Sequence, residues 1–319
     1  MTTTSKGRCG DNADWFVEVS DMAKISFWVR IIAASVAAVV VSASLSGCSA
    51  IKLGYNQLPE ISSWWLDNYI NFTDTQANQA KQALKKLHAW HRKEELPLVA
   101  DLLVQAQNMA PQNISTQQAC EVWGKLEKRI EAVALESSRL ATPIVLQLTP
   151  RQLRHLEKQW TVKNEEWKKD WLQPGADDRL KKRLDATVDR FSDFYGDLNT
   201  EQIKLLRLQI EQSLWSPEVA IQNRIKRQQS QMLVLQNLTQ DASKPGFNVA
   251  QAENTVLQLS LQSVRPQDPA LLNLQLQLEQ QACLNFSQFH NSTTPAQRQK
   301  AQRRLRAYEK DIRDLTPIK

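Results

Sequence analysis

The residues of this 319-residue chain that could do chemistry are few and scattered. His88 and His91, three apart, would lie near one face of a helix, where two imidazoles can hold a metal ion. Their neighbours argue otherwise. His91 shares its face with Leu84 and Leu87, His88 lies beside Lys81 and Lys85, and carboxylates begin only at Glu94 and Glu95. The pair reads as a core-edge or solvated histidine pair, and no metal site is assigned. His155 and His290 stand alone. There is no G-x-S-x-G, no Gly-rich phosphate loop and no H-E-x-x-H, so no catalytic residue is nominated and no cofactor is implied. The acid pairs Glu165–Glu166 and Asp177–Asp178 sit among lysines and arginines as solvated helix ends. Carboxylates distant in sequence could still converge in the fold, which keeps an envelope hydrolase as an alternative.

Cys48 has a more telling setting. From Met22 the sequence reads MAKISFWVR, with Lys24 and Arg30 as a basic start, then an uncharged apolar run over residues 31–45. That run is shorter than the roughly 20 residues a spanning helix needs, so residues 22–47 read as a secretory signal. Leu45, Ser46, Gly47 and Cys48 resemble the bacterial lipobox. The resemblance implies lipidation of Cys48, which becomes the new N-terminus, and Ser49 in place of an aspartate implies the periplasmic face of the outer membrane. Residues 1–21 carry four acids and two bases and read as an upstream extension, with translation beginning at Met22.

Removing residues 1–47 takes away four bases and four acids, so the mature chain keeps the net charge of +6. A periplasmic address excludes nucleic acid as a partner and leaves anionic lipid or lipopolysaccharide within reach of a basic surface. Two further thiols, Cys120 and Cys283, each end the word QQAC. In an oxidising compartment an even pair points to a disulfide, the alternative being two small buried hydrophobes.

The elements that position these residues are helical. Glycine is scarce, Gln, Leu, Ala, Lys and Arg abound, and apolar residues recur at three and four, as in Leu153, Leu156, Trp160, Trp167, Trp171 and in Ile203, Leu206, Ile210, Leu214. Five words, TDTQ at 73, STQQ at 115, TPRQ at 149, NTEQ at 199 and TPAQ at 294, put Ser, Thr or Asn at an N-cap with Gln three residues on, the pattern of a capping box. Breaks are expected at Pro97, Pro143, QPGADD at 173, Pro217, SKPGFN at 243 and RPQDP at 265. The result is an all-α chain of about ten helices in an irregular bundle or array of hairpins, one mature region over 48–319 with a candidate subdomain boundary at 243–248.

Two adjacent tryptophans separate by helical phase. In a helix from Pro59 to Phe72, Trp65 falls on the stripe of Leu58, Ile61, Tyr69 and Phe72 and is expected in the core. Trp64 lies about 100° away, beside Asn68 and Asn71, and becomes the candidate partner-binding residue. The stripe Trp160, Trp167, Trp171 is expected in the core. The helix from Pro295 carries Arg298, Lys300, Arg303, Arg304, Arg306, Lys310 and Arg313, a solvated basic face that could also meet anionic lipid or lipopolysaccharide.

Cys48, Tyr55–Asn56, Pro59, the segment Trp64-Trp65-Leu66-Asp67 with Tyr69, and Trp90-His91-Arg92 with Glu95-Leu96-Pro97 together resemble a family of Gram-negative lipoproteins of unknown function. The resemblance implies an address and a fold class, not an activity. LTPRQ at 148–152 resembles the L-T-x-x-Q signature of small ATP-independent periplasmic chaperones, and LNTEQ at 198 is a near miss. The expected function is a non-enzymatic scaffold or assembly factor for another envelope protein, with a chaperone for unfolded clients or a hydrolase as alternatives.

Overall fold

A computed structural model describes residues 50–262 and 264–317. Met22, the apolar run and Cys48 lie outside the described residues. The described chain is all-α. In order the helices are α1 (Ala50–Asn56), α2 (Leu58–Ile70), α3 (Asp74–Trp90), α4 (Leu96–Met109), α5 (Thr116–Val145), α6 (Pro150–Trp171), α7 (Ala176–Tyr195), α8 (Thr200–Glu211), α9 (Pro217–Asp241), α10 (Val249–Leu261), α11 (Pro269–Asn291) and α12 (Pro295–Leu315). None of them is long and apolar enough to cross a membrane.

Each of the five capping words begins a helix in which both reciprocal bonds of the box are made. Four of these glutamines do more than cap. Gln76 Nε2 donates to the carbonyl of Gln147 (3.0 Å), and Gln152 Nε2 donates to that of Asn71 (3.1 Å) and to Gln76 Oε1 (2.6 Å). Gln202 Nε2 donates to the carbonyl of Ser292 (3.1 Å) and to Gln297 Oε1 (2.9 Å), while Gln297 Nε2 returns to the carbonyl of Asp197 (2.9 Å) and to Gln202 Oε1 (3.0 Å). Each glutamine thus reaches the carbonyl five residues ahead of its partner, a local two-fold arrangement made once by the starts of α3 and α6 and again by those of α8 and α12. Gln202 is 2 % exposed. Gln202→Leu is expected to cost about 3 kcal/mol in urea unfolding, because the Asn199 amide and the Ser292 carbonyl lose their partner without gaining water.

The thirty-residue α5 is the spine, touching α3, α4, α10 and α11, while α4 lies along α12. One core joins α7, α8, α11 and α12 through Leu184, Phe191, Tyr195, Leu206, Phe289 and Ala301. A second joins α2, α6 and α9 through Leu148, Leu153, Leu156 and Met232, with Tyr69, Ile70 and Phe72 against them. Leu238 in α9 shares a third with Ala252 and Val256 in α10. The turn at Pro245–Gly246 joins these two helices, and Phe247 just after it packs against that cluster.

Two expected breaks are absent. Pro143 lies inside α5, where the Ser138 and Thr142 hydroxyls donate to the carbonyls four residues back. Pro97 lies in the first turn of α4, which continues from α3 through a π turn over His91–Glu95. Proline has no N–H to offer the carbonyl of Lys93, and its ring would collide with that carbonyl in a regular helix. The wider turn, closed by the Leu96 amide on the His91 carbonyl, relieves both problems without ending the rod.

Candidate functional site

Polar side chains of several helices meet beside the π turn, and α1 is what they hold. Pro59, near the start of α2, leaves the carbonyl of Tyr55 without its helical donor. His88 Nε2 fills that vacancy at 3.1 Å, and its ring packs on that of Tyr55 with centroids 4.6 Å apart. The Tyr55 hydroxyl meets His91 Nδ1 at 2.7 Å. Lys52 adds ion pairs to Asp314 (2.8 Å) and Asp311 (3.5 Å) near the end of α12, and Arg92 Nε caps that helix by donating to the Leu315 carbonyl (2.7 Å). The histidine pair is thus a structural clasp on Tyr55, and among the described residues no group of metal-ligating side chains gathers around it.

Behind the clasp lies Glu95, 4 % exposed, with Oε2 3.5 Å from an Arg129 guanidinium nitrogen of α5 but outside hydrogen-bond geometry. Burial pushes its carboxyl up, against the pull of Arg129. A second tyrosine–histidine pair sits in the main core. The Tyr195 hydroxyl is 2.9 Å from His290 Nδ1, and His290 Nε2 donates to the carbonyl of Gln112 at 2.8 Å. With Nε2 carrying the proton, the neutral ring accepts the tyrosine O–H at Nδ1.

Burial lowers the pKa of His88, His91 and His290 and raises that of Tyr55 to about 12, so all four are neutral near pH 7. Below their unfolded value of 6.5 the unfolded chain takes up protons that the folded chain resists, so stability falls as the pH falls. Glu95 and Glu127, whose pKa values burial raises, oppose this trend nearer 4.5. Thermal unfolding is expected at a lower temperature at pH 5.5 than at 7.5. His290→Gln should flatten part of that slope, and an unchanged slope would show that His290 contributes nothing to it.

Trp64, on α2, is 54 % exposed among the described residues. Trp65 is half-buried against Tyr69 with ring centroids 4.4 Å apart, and Ile61, expected on the same core stripe, is 45 % exposed. The part of α2 that packs on the core of α6 and α9 is its C-terminal end, at Tyr69, Ile70 and the following Phe72. Trp65→Ala is therefore expected to cost about 1 to 2 kcal/mol, below the value for a filled core site. In the Trp160, Trp167, Trp171 stripe only Trp171 is fully buried, edge-on to Trp215 at 5.3 Å and under Lys182.

The remaining residues are placed as follows. Cys120 of α5 and Cys283 of α11 form a disulfide with Cα atoms 5.3 Å apart. His155 Nε2 donates to the carbonyl of Asn68 at 3.0 Å. Much of the basic face of α12 is engaged internally. Arg298 donates to Asn113 (2.5 Å) and to the carbonyl of Pro111, Arg304 pairs with Asp193, Lys310 with Asp314, and Arg313 with Glu309 and Asp101. Glu127 of α5 is pushed up by burial and by Glu279 of α11, with Arg265 4.0 Å away; Gln275 donates to Glu279 at 2.7 Å. Beside Glu127, Lys128, Glu131, Leu135, Leu261 and Arg265 line a groove of about 650 Å3 between α5 and α10.

Tyr55 is the residue that sequence reasoning left without a role, although the four-residue step from Tyr55 to Pro59 marks an orphaned carbonyl. No curated protein and no solved structure matches the chain. A family of unknown function, DUF6279, matches residues 68–258, from within α2 to within α10, and includes the π turn with His88 and His91. By that match, which covers more than half of its length, the chain belongs to DUF6279.

Proposed function

We propose that this member of DUF6279 is a lipoprotein anchored through Cys48 at the periplasmic face of the outer membrane, where it serves as a non-enzymatic helical scaffold or assembly factor for another envelope protein. The observation that carries this reading is the setting of Trp64. It is an exposed aromatic side chain sixteen residues beyond Cys48, on a helix joined to a clasped first helix, and an aromatic anchor of this kind can carry 2 kcal/mol or more of binding. The side chains able to do chemistry nearby, His88, His91 and Tyr55, are engaged in holding helices together. Lipidation and the lipobox-like residues 45–48 are part of the same proposal.

The test is photocrosslinking from position 64 in intact cells, with fatty-acid labelling of the wild type and of Cys48→Ser. A discrete protein adduct at position 64 is expected, as is the same adduct from a crosslinker at a neighbouring exposed site, the latter lost when Trp64→Ala is added. Trp64→Ala should leave the melting temperature within about 2 °C, as an exposed substitution does. A melting temperature lowered as far as in Trp65→Ala would remove Trp64 as a contact site, and labelling that persists in Cys48→Ser would overturn the anchor.

A chaperone for unfolded clients is the second reading. It is supported by the L-T-x-x-Q word at 148–152, which is one half of the paired boxes built at two places in the fold. Suppression of aggregation of a denatured client at equimolar protein would favour it. No suppression at tenfold excess would dismiss it.

A further inference from the structure

Helix α1 is seven residues long, too short to keep helical form unaided, so its position depends on the contacts that dock it. Among the described residues those contacts include the two histidines on Tyr55 and the Lys52 ion pairs. The charged groups around the rings are unevenly shared. Arg92 acts on His88 and on Tyr55, and His88 on His91, all of them cationic when the rings are protonated. The carboxylates of the surrounding elements are engaged elsewhere. Glu94 pairs with Lys93 at 3.0 Å, Glu95 with Arg129, Glu60 of α2 with Lys81 at 2.7 Å, and Asp311 and Asp314 of α12 with Lys52 and Lys310.

We infer that protonation of His88 and His91 releases α1 from the π turn, making the clasp a pH-operated latch on the segment that joins the helical body to Cys48. The step is one of charge rather than of a lost donor. His88 Nε2 can donate to the Tyr55 carbonyl in either protonation state, and a protonated His91 can donate to the Tyr55 oxygen. What changes is that two imidazolium ions and a guanidinium then share a partly desolvated site at which, among the described residues, every neighbouring carboxylate already has a cationic partner. Water reaching the rings relieves that charge, and it reaches them when α1 leaves. Burial already holds both rings below their ordinary range, which is the same coupling seen from the docked side. The Lys52–Asp314 pair does not titrate in this interval, since their contact holds the Asp314 carboxyl down at about 2 and raises the Lys52 ammonium, and ion pairs at a surface hold weakly.

Cys48 precedes Ala50 by two residues, a span of at most roughly 7 Å, so a docked α1 leaves little free chain between the helical body and Cys48. Released back to Pro59, the longer stretch from Cys48 to Pro59 could extend to roughly 35 to 40 Å. This consequence for stand-off from a membrane rests on the lipoprotein reading, whereas the docking of α1 does not.

Hydrogen exchange of the purified full chain at pH 7.5 and pH 5.5, scaled for intrinsic exchange chemistry, reads the latch directly. Peptides over residues 50–57 are expected to exchange at least tenfold faster at pH 5.5 while those over 297–304 keep their protection, and His88→Gln with His91→Gln is expected to remove the pH dependence of the first. Equal protection of residues 50–57 at both pH values would overturn the inference, as would a double variant that still opens on acidification. Should the double variant leave α1 undocked at pH 7.5, the imidazole proton shifts of the wild type decide. Their titration must share its midpoint with the opening of α1, and separate midpoints would overturn the latch. Fatty-acid analysis of the same sample separates failure of the anchor from failure of the latch.

Discussion

Phe289→Ala is expected to lower the unfolding free energy by about 3 to 5 kcal/mol, a large fraction of the stability of an ordinary domain. Phe289 is wholly buried, its ring centroid 4.2 Å from that of Phe191 and 5.6 Å from that of Tyr195. It stands where α7, α8, α11 and α12 meet, so truncation leaves a void walled by rigid rings that cannot close over it. The neighbouring Tyr195–His290 pair would lose the aromatic wall that excludes water from it. For a chain of this length the loss corresponds to a melting temperature lower by about 10 °C. A cost below 1 kcal/mol in urea or thermal unfolding would show that the core re-forms around the gap and that this junction is not the centre of the fold.

Removal of the Cys120–Cys283 disulfide has a comparable expected effect by a different route. The bridge closes a loop of 163 residues, and the chain-entropy model gives about 5 kcal/mol for a loop of that size, with measured values often lower. The stabilisation acts mainly on the unfolded chain, so Cys120→Ser with Cys283→Ser should shift the denaturation midpoint while leaving the helical content of the native protein unchanged. Ile114, Ala119 and Cys283 form a small buried cluster around the bridge, which Met109 and Trp123 extend, so the local packing survives its loss. Identical urea midpoints for the protein with and without reductant would show that the bridge adds nothing beyond that cluster.

The local parts of this architecture were legible in the sequence. The five capping words announce five helix starts because a capping box is completed within four residues and needs nothing from elsewhere. What Gln76 and Gln202 do next was not legible, since their partners lie 76 and 95 residues away. Pro97 misled for the opposite reason: a proline predicts an interrupted hydrogen bond, and whether the chain answers with a break or with a π turn depends on what packs around it. For Trp64 and Trp65 the helical phase separated an exposed from a covered residue, but depth of burial is set by how closely α3 and α6 approach, which phase does not contain. The candidate site shows the same limit. His88 and His91 advertised themselves by type and spacing, whereas their purpose is given by Tyr55, a residue with no chemical signature of its own until a second helix comes near.

The reciprocal glutamine boxes bear on where this family's matched stretch can be cut. The match ends at residue 258, yet Gln202 finds its amide partner at Gln297, Cys120 its sulfur partner at Cys283, and α4 its long neighbour in α12, all beyond that point. On the other side it begins at residue 68, after Tyr55, so His88 and His91 would face an empty groove. A polypeptide trimmed to residues 68–258 would carry half of each of these interactions and none of their counterparts, so the unit that folds is longer at both ends than the unit that family comparison recognises.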